Sequence, residues 1–174
     1  MNYNKIRKMD ISNGPGVRVS IFVQGCTFNC KNCFNPETHD FNGGKEFNDD
    51  TIKRVLELCD NENIEGLSIL GGEPMHPQNI DETTKLAKEF KQKYPNKNLW
   101  AWSGFEFDKY LKNKEVAKYL DVLVDGQYVD ELRNPKLEWK GSENQRVIDV
   151  QESLKQNKVV IFNEKVERVL AGVK

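Results

Sequence analysis

Three of the four cysteines in this chain lie within eight positions, as Cys26, Cys30 and Cys33. Their spacing is C-x3-C-x2-C. Thiolates are soft ligands, and three of them in one short loop can each bind one corner of a cuboidal iron–sulfur cluster. A cluster that only carries electrons ordinarily has four cysteine ligands, whereas three protein ligands leave one iron open to a substrate.

The sequence gives less support to two other uses of these thiols, a zinc site and a disulfide framework. A Cys3His zinc site would need His39 or His76, and neither histidine stands at the short spacing of a zinc finger. A disulfide framework would distribute its cysteines along the chain rather than in one loop. Cys59 lies on the apolar stripe of a predicted helix, which favours a buried structural thiol.

A second motif is the turn Gly71-Gly72-Glu73-Pro74. Paired glycines let the backbone approach a ligand closely, and their carbonyl oxygens can accept hydrogen bonds from an ammonium group. Glu73 can add negative charge near that ammonium or brace the turn. Taken alone, the same residues also suit an ordinary strand-to-helix turn.

Strand patterns alternate with helix patterns around these motifs. The periodicity predicts helices over about 49–60, 79–93 and 106–120, and strands over 17–23, 66–70, 98–102, 121–124, 146–150 and 159–162. Such alternation predicts one α/β domain over residues 1–174 with a mainly parallel sheet. The cysteines, the Gly71–Pro74 turn, Ser103 and Asp125 each follow a predicted strand, so we expect them at one rim of the sheet.

Composition restricts the classes of function. The formal net charge of -1 argues against a nucleic-acid binder that works through a global positive field. No stretch reaches the roughly 18 apolar residues that cross a bilayer, and the first residues lack the apolar core of a secretory signal. We therefore expect a cytoplasmic protein without nucleic-acid or membrane partners.

The motifs together resemble the radical S-adenosylmethionine enzymes, and more closely the small activating proteins of anaerobic ribonucleoside-triphosphate reductase. The resemblance rests on ordered blocks from residue 10 to about 150, namely residues 13–18, 26–38, 71–79, 121–126 and 141–146. It implies a partial, open (β/α) barrel with a mainly parallel sheet and the cluster at its C-terminal mouth. Lys140 departs from the family pattern, in which arginine is common, and no role is assigned to the residues after about 150.

In that family, three cysteines hold a 4Fe-4S cluster whose open iron binds the amino and carboxylate groups of S-adenosylmethionine. One electron then breaks a carbon–sulfur bond, and the resulting 5′-deoxyadenosyl radical takes a hydrogen atom from a glycine of the large reductase subunit. The resemblance thus implies Cys26, Cys30 and Cys33 as cluster ligands. It also implies the large reductase subunit as partner and a reduced one-electron donor such as a flavodoxin. A homodimer is compatible with the sequence.

Other residues are candidates for binding S-adenosylmethionine. By resemblance, Asn32, Cys33 and Phe34 lie against the adenine, and Gly71, Gly72, Glu73 and Pro74 contact the ammonium group. Ser103 is a candidate for the methionine carboxylate or the ribose, and Asp125 for a ribose hydroxyl or the ammonium, although both also suit simple turns. Arg18 and Arg146 are candidates for pairing carboxylates. No side chain is expected to be catalytic itself, because the cluster and the nucleoside carry the chemistry.

Two alternatives remain open from the sequence. The chain would activate a different glycyl-radical enzyme, or it would be a non-catalytic iron–sulfur electron carrier or zinc-binding module. The block around residues 144–146 and the short chain favour a reductase activator over other activators. Three ligands followed by Gly-Gly-Glu-Pro argue against a simple carrier.

Overall fold

A computed structural model describes residues 1–163, which form one seven-stranded sheet and three α-helices. The strands are β1 Asn2–Asp10, β2 Arg18–Val23, β3 Lys45–Glu46, β4 Gly66–Gly71, β5 Asn98–Trp102, β6 Val122–Asp125 and β7 Arg146–Asp149. Their order across the sheet is β3-β1-β2-β4-β5-β6-β7. The helices are α1 Asp49–Cys59, α2 Ile80–Lys93 and α3 Val150–Gln156. Residues 164–174, within the segment to which the sequence assigns no role, lie outside the described residues.

The prediction of a partial, open (β/α) barrel with a mainly parallel sheet is wrong. The described residues form a single mixed sheet with β3 and β7 at its edges, and three of its six strand pairings are antiparallel. The connections between the strands explain why the sheet is mixed. Only β2–β4 and β4–β5 are joined through α-helices, whereas β1 and β7 reach their neighbours through loops and pair antiparallel to them.

The crossover from β5 to β6 also differs from its prediction. The sequence indicates helix over 106–120, but the chain forms a π-helical turn, Phe107–Leu111, and a 3-10 turn, Glu115–Lys118. Both turns still bury apolar side chains against the sheet, among them Phe107, Leu111 and Val116. The periodicity therefore identified the buried side but not the type of helix.

The two faces of the sheet are covered differently. Alternation along each strand sends Ile21, Ile69 and Leu123 to one face, where they pack with the apolar sides of the α-helices in the main core. On the other face, Trp100, Val122 and Val124 form a smaller cluster with aromatic residues from loops. This second face carries no α-helix among the described residues, which leaves room for a cavity near one end of the strands.

Arg18 anchors the opposite end of that second face. Its guanidinium is fully buried, and all five of its N–H groups have oxygen acceptors. These acceptors are Ser68 Oγ, Asn98 Oδ1 and the carbonyl oxygens of Pro15, Leu67 and Asn98. Burial lowers the pKa of Arg18 to about 10. Arg18 thus joins β2, β4 and β5, and its prediction as a carboxylate-binding residue has no support, since none of these acceptors is a carboxylate.

No helix within residues 1–163 has the length and apolar character needed to cross a membrane.

Replacing Arg18 by methionine tests this anchor. The substitution removes five hydrogen bonds and leaves buried oxygen atoms without donors, so we expect the free energy of unfolding to fall by at least about 3 kcal/mol. Urea denaturation monitored by circular dichroism measures the change. Arg54→Met, at an exposed position of α1, is the control and should change the free energy of unfolding by less than about 0.5 kcal/mol. A loss below about 1 kcal/mol for Arg18→Met would contradict the anchoring role.

Candidate functional site

The loop that carries the three cysteines leaves the end of β2 and is closed by backbone hydrogen bonds. The Gly25 N–H donates to the Thr38 carbonyl oxygen at 2.8 Å, and the Cys26 N–H donates to the His39 carbonyl oxygen at 3.1 Å. Inside the loop, Asn29 and Asn32 adopt left-handed conformations with φ of 49° and 53°. Asparagine tolerates this region better than most residues, which allows the tight turns on either side of Cys30.

These turns bring all three thiols to one cavity of about 520 Å³. The cavity lies at the carboxyl ends of the parallel strands, on the face that carries no α-helix within residues 1–163. Its walls combine the cysteine loop, the turn after β4, the turn after β5 and the long segment 126–145. The lining includes Cys26, Cys30, Cys33, Phe34, Gly71, Gly72, Glu73, Trp102, Ser103, Gly104, Tyr128, Trp139, Lys140 and Gln145. Of the motifs expected at one rim, the cysteines, Gly71 to Glu73 and Ser103 line this cavity, whereas Asp125 is not part of the lining.

The donor set of the cavity is three thiols from one loop, with His39 also in the lining. Cys26, Cys30 and Cys33 are all partly exposed to the cavity, whereas Cys59 is buried in the core on the other face. Among residues 1–163, no three His, Cys, Asp or Glu side chains converge on one point as a mononuclear site requires. A cuboidal cluster on these cysteines would take one thiolate on each of three irons.

Burial disfavours the thiolate form of two of these cysteines. Burial raises the pKa of Cys26 to about 11, and it also raises the pKa of Cys33. Only the thiolate ligates iron, so loading of the site releases protons and is favoured by higher pH.

The turn after β4 lies in backbone contact with the base of the cysteine loop. The Gly72 N–H donates to the Val23 carbonyl oxygen at 2.9 Å, and the Glu73 N–H donates to the Gly25 carbonyl oxygen at 2.8 Å. Gly71 has a φ of +110°, and a Cβ on Gly72 would lie 2.6 Å from the Gly25 oxygen. Both glycines are therefore required by the close packing of the two loops.

Glu73 braces this arrangement from beneath. Its carboxylate is 1% exposed and accepts hydrogen bonds from Ser103 Oγ at 2.8 Å, the Gly104 N–H at 2.7 Å and the Met75 N–H at 2.9 Å. Burial raises the pKa of Glu73 to about 7, while these three hydrogen bonds act in the opposite direction. Of the two roles considered from the sequence, the structure shows the brace, which joins the turn after β4 to the turn after β5.

The remaining predicted S-adenosylmethionine contacts divide into two groups. Phe34 and Ser103 line the cavity, and the Phe34 ring is 60% exposed and packs edge-on against Tyr128. Asn32 and Pro74 lie beside the cavity but are not part of its lining, and the Asn32 amide donates to Asp130 at 2.8 Å.

Asp125 lies beneath the rim rather than in the cavity wall. Its buried carboxylate accepts hydrogen bonds from Arg146 Nε at 2.9 Å and from the Phe107 N–H at 2.7 Å. Its predicted contact with the ribose or the ammonium stays a prediction. Arg146 also reaches Asp108 at 2.7 Å, so its carboxylate partners belong to this chain.

Several residues of the cavity wall carried no assigned role in the sequence. Gln145 Oε1 accepts hydrogen bonds from the Gly141 and Ser142 N–H groups, and its Nε2 donates to the Gly126 carbonyl oxygen. The Trp139 carbonyl oxygen accepts from Trp102 Nε1 at 2.7 Å. Gln145 lies in a block that carries the family resemblance, and that block could have indicated a role in the site. Nothing in the polar loop around Trp139 indicates that this residue lines the cavity.

Lys140, where the family commonly has arginine, is tied to the same segment. Its Nζ donates to the Gln145 carbonyl oxygen at 2.7 Å and to the Glu143 carbonyl oxygen at 3.3 Å. Its charge thus lies at the cavity wall, while its hydrogen bonds stabilise the loop.

Replacing Gly72 by alanine tests the contact between the two loops. The added Cβ would press on the Gly25 and Thr38 carbonyl oxygens, so we expect a loss of about 1–3 kcal/mol in stability and a loss of at least half the iron that wild type retains. Iron analysis after anaerobic reconstitution and thermal denaturation measure both effects. Gly43→Ala is the control, because its Cβ would mainly meet the end of the Gln24 side chain. Normal iron content in the Gly72 variant would contradict the requirement for glycine where the two loops meet.

The raised pKa of Glu73 predicts a dependence of stability on pH. Because the folded state binds this proton more tightly than the unfolded state, the stability contributed by Glu73 is present below about pH 4.5 and is lost as pH rises to about 7. Wild type should therefore lose on the order of 2 kcal/mol between pH 5 and pH 8 relative to Glu73→Gln. Urea denaturation of the metal-free proteins at several pH values checks this. Parallel pH profiles for the two proteins would show that Glu73 does not titrate in this range.

Comparison with known proteins agrees with this site. A family model described as a 4Fe-4S single cluster domain matches residues 12–148. The anaerobic ribonucleoside-triphosphate reductase-activating protein of Enterobacteria phage T4 is 40% identical over 147 residues, covering 84% of this chain and 93% of that protein. The proteins of the same name from Escherichia coli K12 and Vibrio cholerae are 37% and 36% identical, covering 84% and 83% of this chain and 97% and 96% of theirs. The chain belongs to the family of anaerobic ribonucleoside-triphosphate reductase-activating proteins, with a 4Fe-4S single cluster domain.

Proposed function

We propose that this protein activates anaerobic ribonucleoside-triphosphate reductase as a radical S-adenosylmethionine enzyme, forming a glycyl radical on the large reductase subunit. The observation that carries the proposal is the shared cavity. Three cysteine thiols and residues 71–73 of the turn line the same space, so a cluster on the thiols would lie beside a turn suited to an ammonium group. Relatives that carry the reductase-activating name support the choice of partner.

In this proposal, Cys26, Cys30 and Cys33 ligate the cluster and leave one iron without a protein ligand. When bound, the cluster supplies the electron that cleaves the carbon–sulfur bond of S-adenosylmethionine. That electron is consumed in each activation, so an external one-electron donor such as a reduced flavodoxin has to restore it.

The chain itself binds and orients S-adenosylmethionine. The carbonyl oxygens of Gly71 and Gly72 are the proposed acceptors for its ammonium group, and Glu73 beneath them favours a cation when it is ionised. The Asn32–Phe34 segment is the proposed adenine contact, for which the exposed Phe34 ring offers an aromatic face. Ser103 and Asp125 are proposed at the ribose and carboxylate end.

The cavity walls also offer apolar surface. Phe34, Trp102 and Trp139 contribute large apolar surfaces to the lining. A radical intermediate reacts with whatever it meets, so an apolar wall protects it until the glycine of the partner approaches. Hydrogen-atom abstraction needs placement of the reacting atoms rather than proton transfer, so this proposal requires no acid–base pair.

Formation of 5′-deoxyadenosine from S-adenosylmethionine tests the proposal. Anaerobically reconstituted and reduced wild type, assayed with the large reductase subunit, should form 5′-deoxyadenosine and a glycyl radical detectable by electron paramagnetic resonance. Cys30→Ala should lose at least about 100-fold of both, because one corner of the cluster has no ligand.

Cys59→Ala is the matched control, since this cysteine is buried in the core away from the cavity. It should lower stability but retain activity per bound cluster. Absence of 5′-deoxyadenosine from fully loaded wild type in the presence of the subunit would overturn the proposal.

A further inference from the structure

Asn79 stands directly before α2, where asparagine usually caps the helix. A capping side chain accepts a hydrogen bond from the first turn and is worth about 1 kcal/mol. Asn79 makes no such bond, and its own backbone is already helical, with φ of -116° and ψ of -25°. The Asn79 side chain therefore does not cap α2.

Instead, the Asn79 side chain bridges the two loops of the site. Its amide Nδ2 donates to the Gln24 carbonyl oxygen at 3.0 Å and to the Glu73 carbonyl oxygen at 3.0 Å, with a longer contact to the Gly25 carbonyl oxygen at 3.4 Å. Gln24 and Gly25 begin the cysteine loop, whereas Glu73 belongs to the turn after β4. Asn79 is 1% exposed, so water does not compete for these bonds.

We infer that Asn79 is a positioning residue that sets the spacing between the cysteine loop and the Gly71–Pro74 turn, and thereby the affinity for S-adenosylmethionine. The inference rests on the proposed function, in which one ligand is held both by the open iron on the cysteine loop and by carbonyl oxygens of the turn. A ligand with two fixed attachment points binds tightly only when their separation is correct. Asn79 is not part of the cavity lining, and it acts through both loops.

Two variants and one control separate positioning from simple stability. Asn79→Ala removes the bridge, and Asn79→Ser removes it while supplying a residue that caps helices well. Thr83→Val is the control, because Thr83 Oγ1 donates to the Pro74 carbonyl oxygen at 2.9 Å and ties the turn to α2 without reaching the cysteine loop.

The measurement is the dissociation constant of S-adenosylmethionine, obtained by titrating each anaerobically reconstituted protein and following the spectrum of the cluster. Both Asn79 variants should retain iron as wild type does and bind S-adenosylmethionine about tenfold more weakly, or about 1.4 kcal/mol. Thr83→Val should bind within about twofold of wild type even if its melting temperature falls.

Three results would overturn the inference. These are wild-type affinity in both Asn79 variants, an equal loss of affinity in Thr83→Val, and failure of both Asn79 variants to fold and load iron while Thr83→Val does so, which would show a role in folding only. Failure of loaded wild type itself to bind S-adenosylmethionine would instead overturn the proposed function, and this inference with it.

Discussion

The site depends on the backbone contact between the cysteine loop and the turn after β4. β2 and β4 are parallel neighbours in register from Arg18–Gly66 to Val23–Gly71, so both loops leave the sheet at the same edge. Hydrogen bonds from Gly72 and Glu73 to Val23 and Gly25 then hold them together, at a separation that no side chain at position 72 would permit. Three thiols and a carbonyl-rich turn thus share one cavity because two adjacent strands end together.

The two faces of the sheet are covered differently, and this leaves space for the cavity beside that contact. The α-helices pack on one face and supply the main core, so the other face can remain partly open. At one end of the open face, Arg18 satisfies its five donors and fixes β2, β4 and β5 relative to one another. At the other end, Glu73 is a buried carboxylate held by three donors from neighbouring turns. These two polar anchors lie at opposite ends of the same strands.

Much of the site could be predicted from the sequence, because its chemistry is concentrated in short motifs that follow strands. The cysteine loop and the turn at 71–74 stand where strand–helix alternation places them, and β5 has its predicted bounds. The prediction of a barrel was wrong because nothing in the charged segment 2–10 indicated an antiparallel strand. The prediction of a helix over 106–120 missed the π-helical and 3-10 turns, because the type of turn depends on tertiary packing. Roles such as those of Asn79 and Gln145 depend on long-range carbonyl partners, which local patterns do not contain.

The central question is whether S-adenosylmethionine binds the open iron of a cluster held by these three cysteines. Electron–nuclear double resonance on the reduced, fully loaded protein, with isotopically labelled nitrogen in the amino group of S-adenosylmethionine, measures this contact. We expect a ¹⁵N hyperfine coupling between that nitrogen and the cluster spin, which is replaced by a ¹⁴N signal when the unlabelled ligand is used and is absent when the ligand is omitted. A loaded cluster whose spectrum shows no coupling to the label would contradict binding at the open iron.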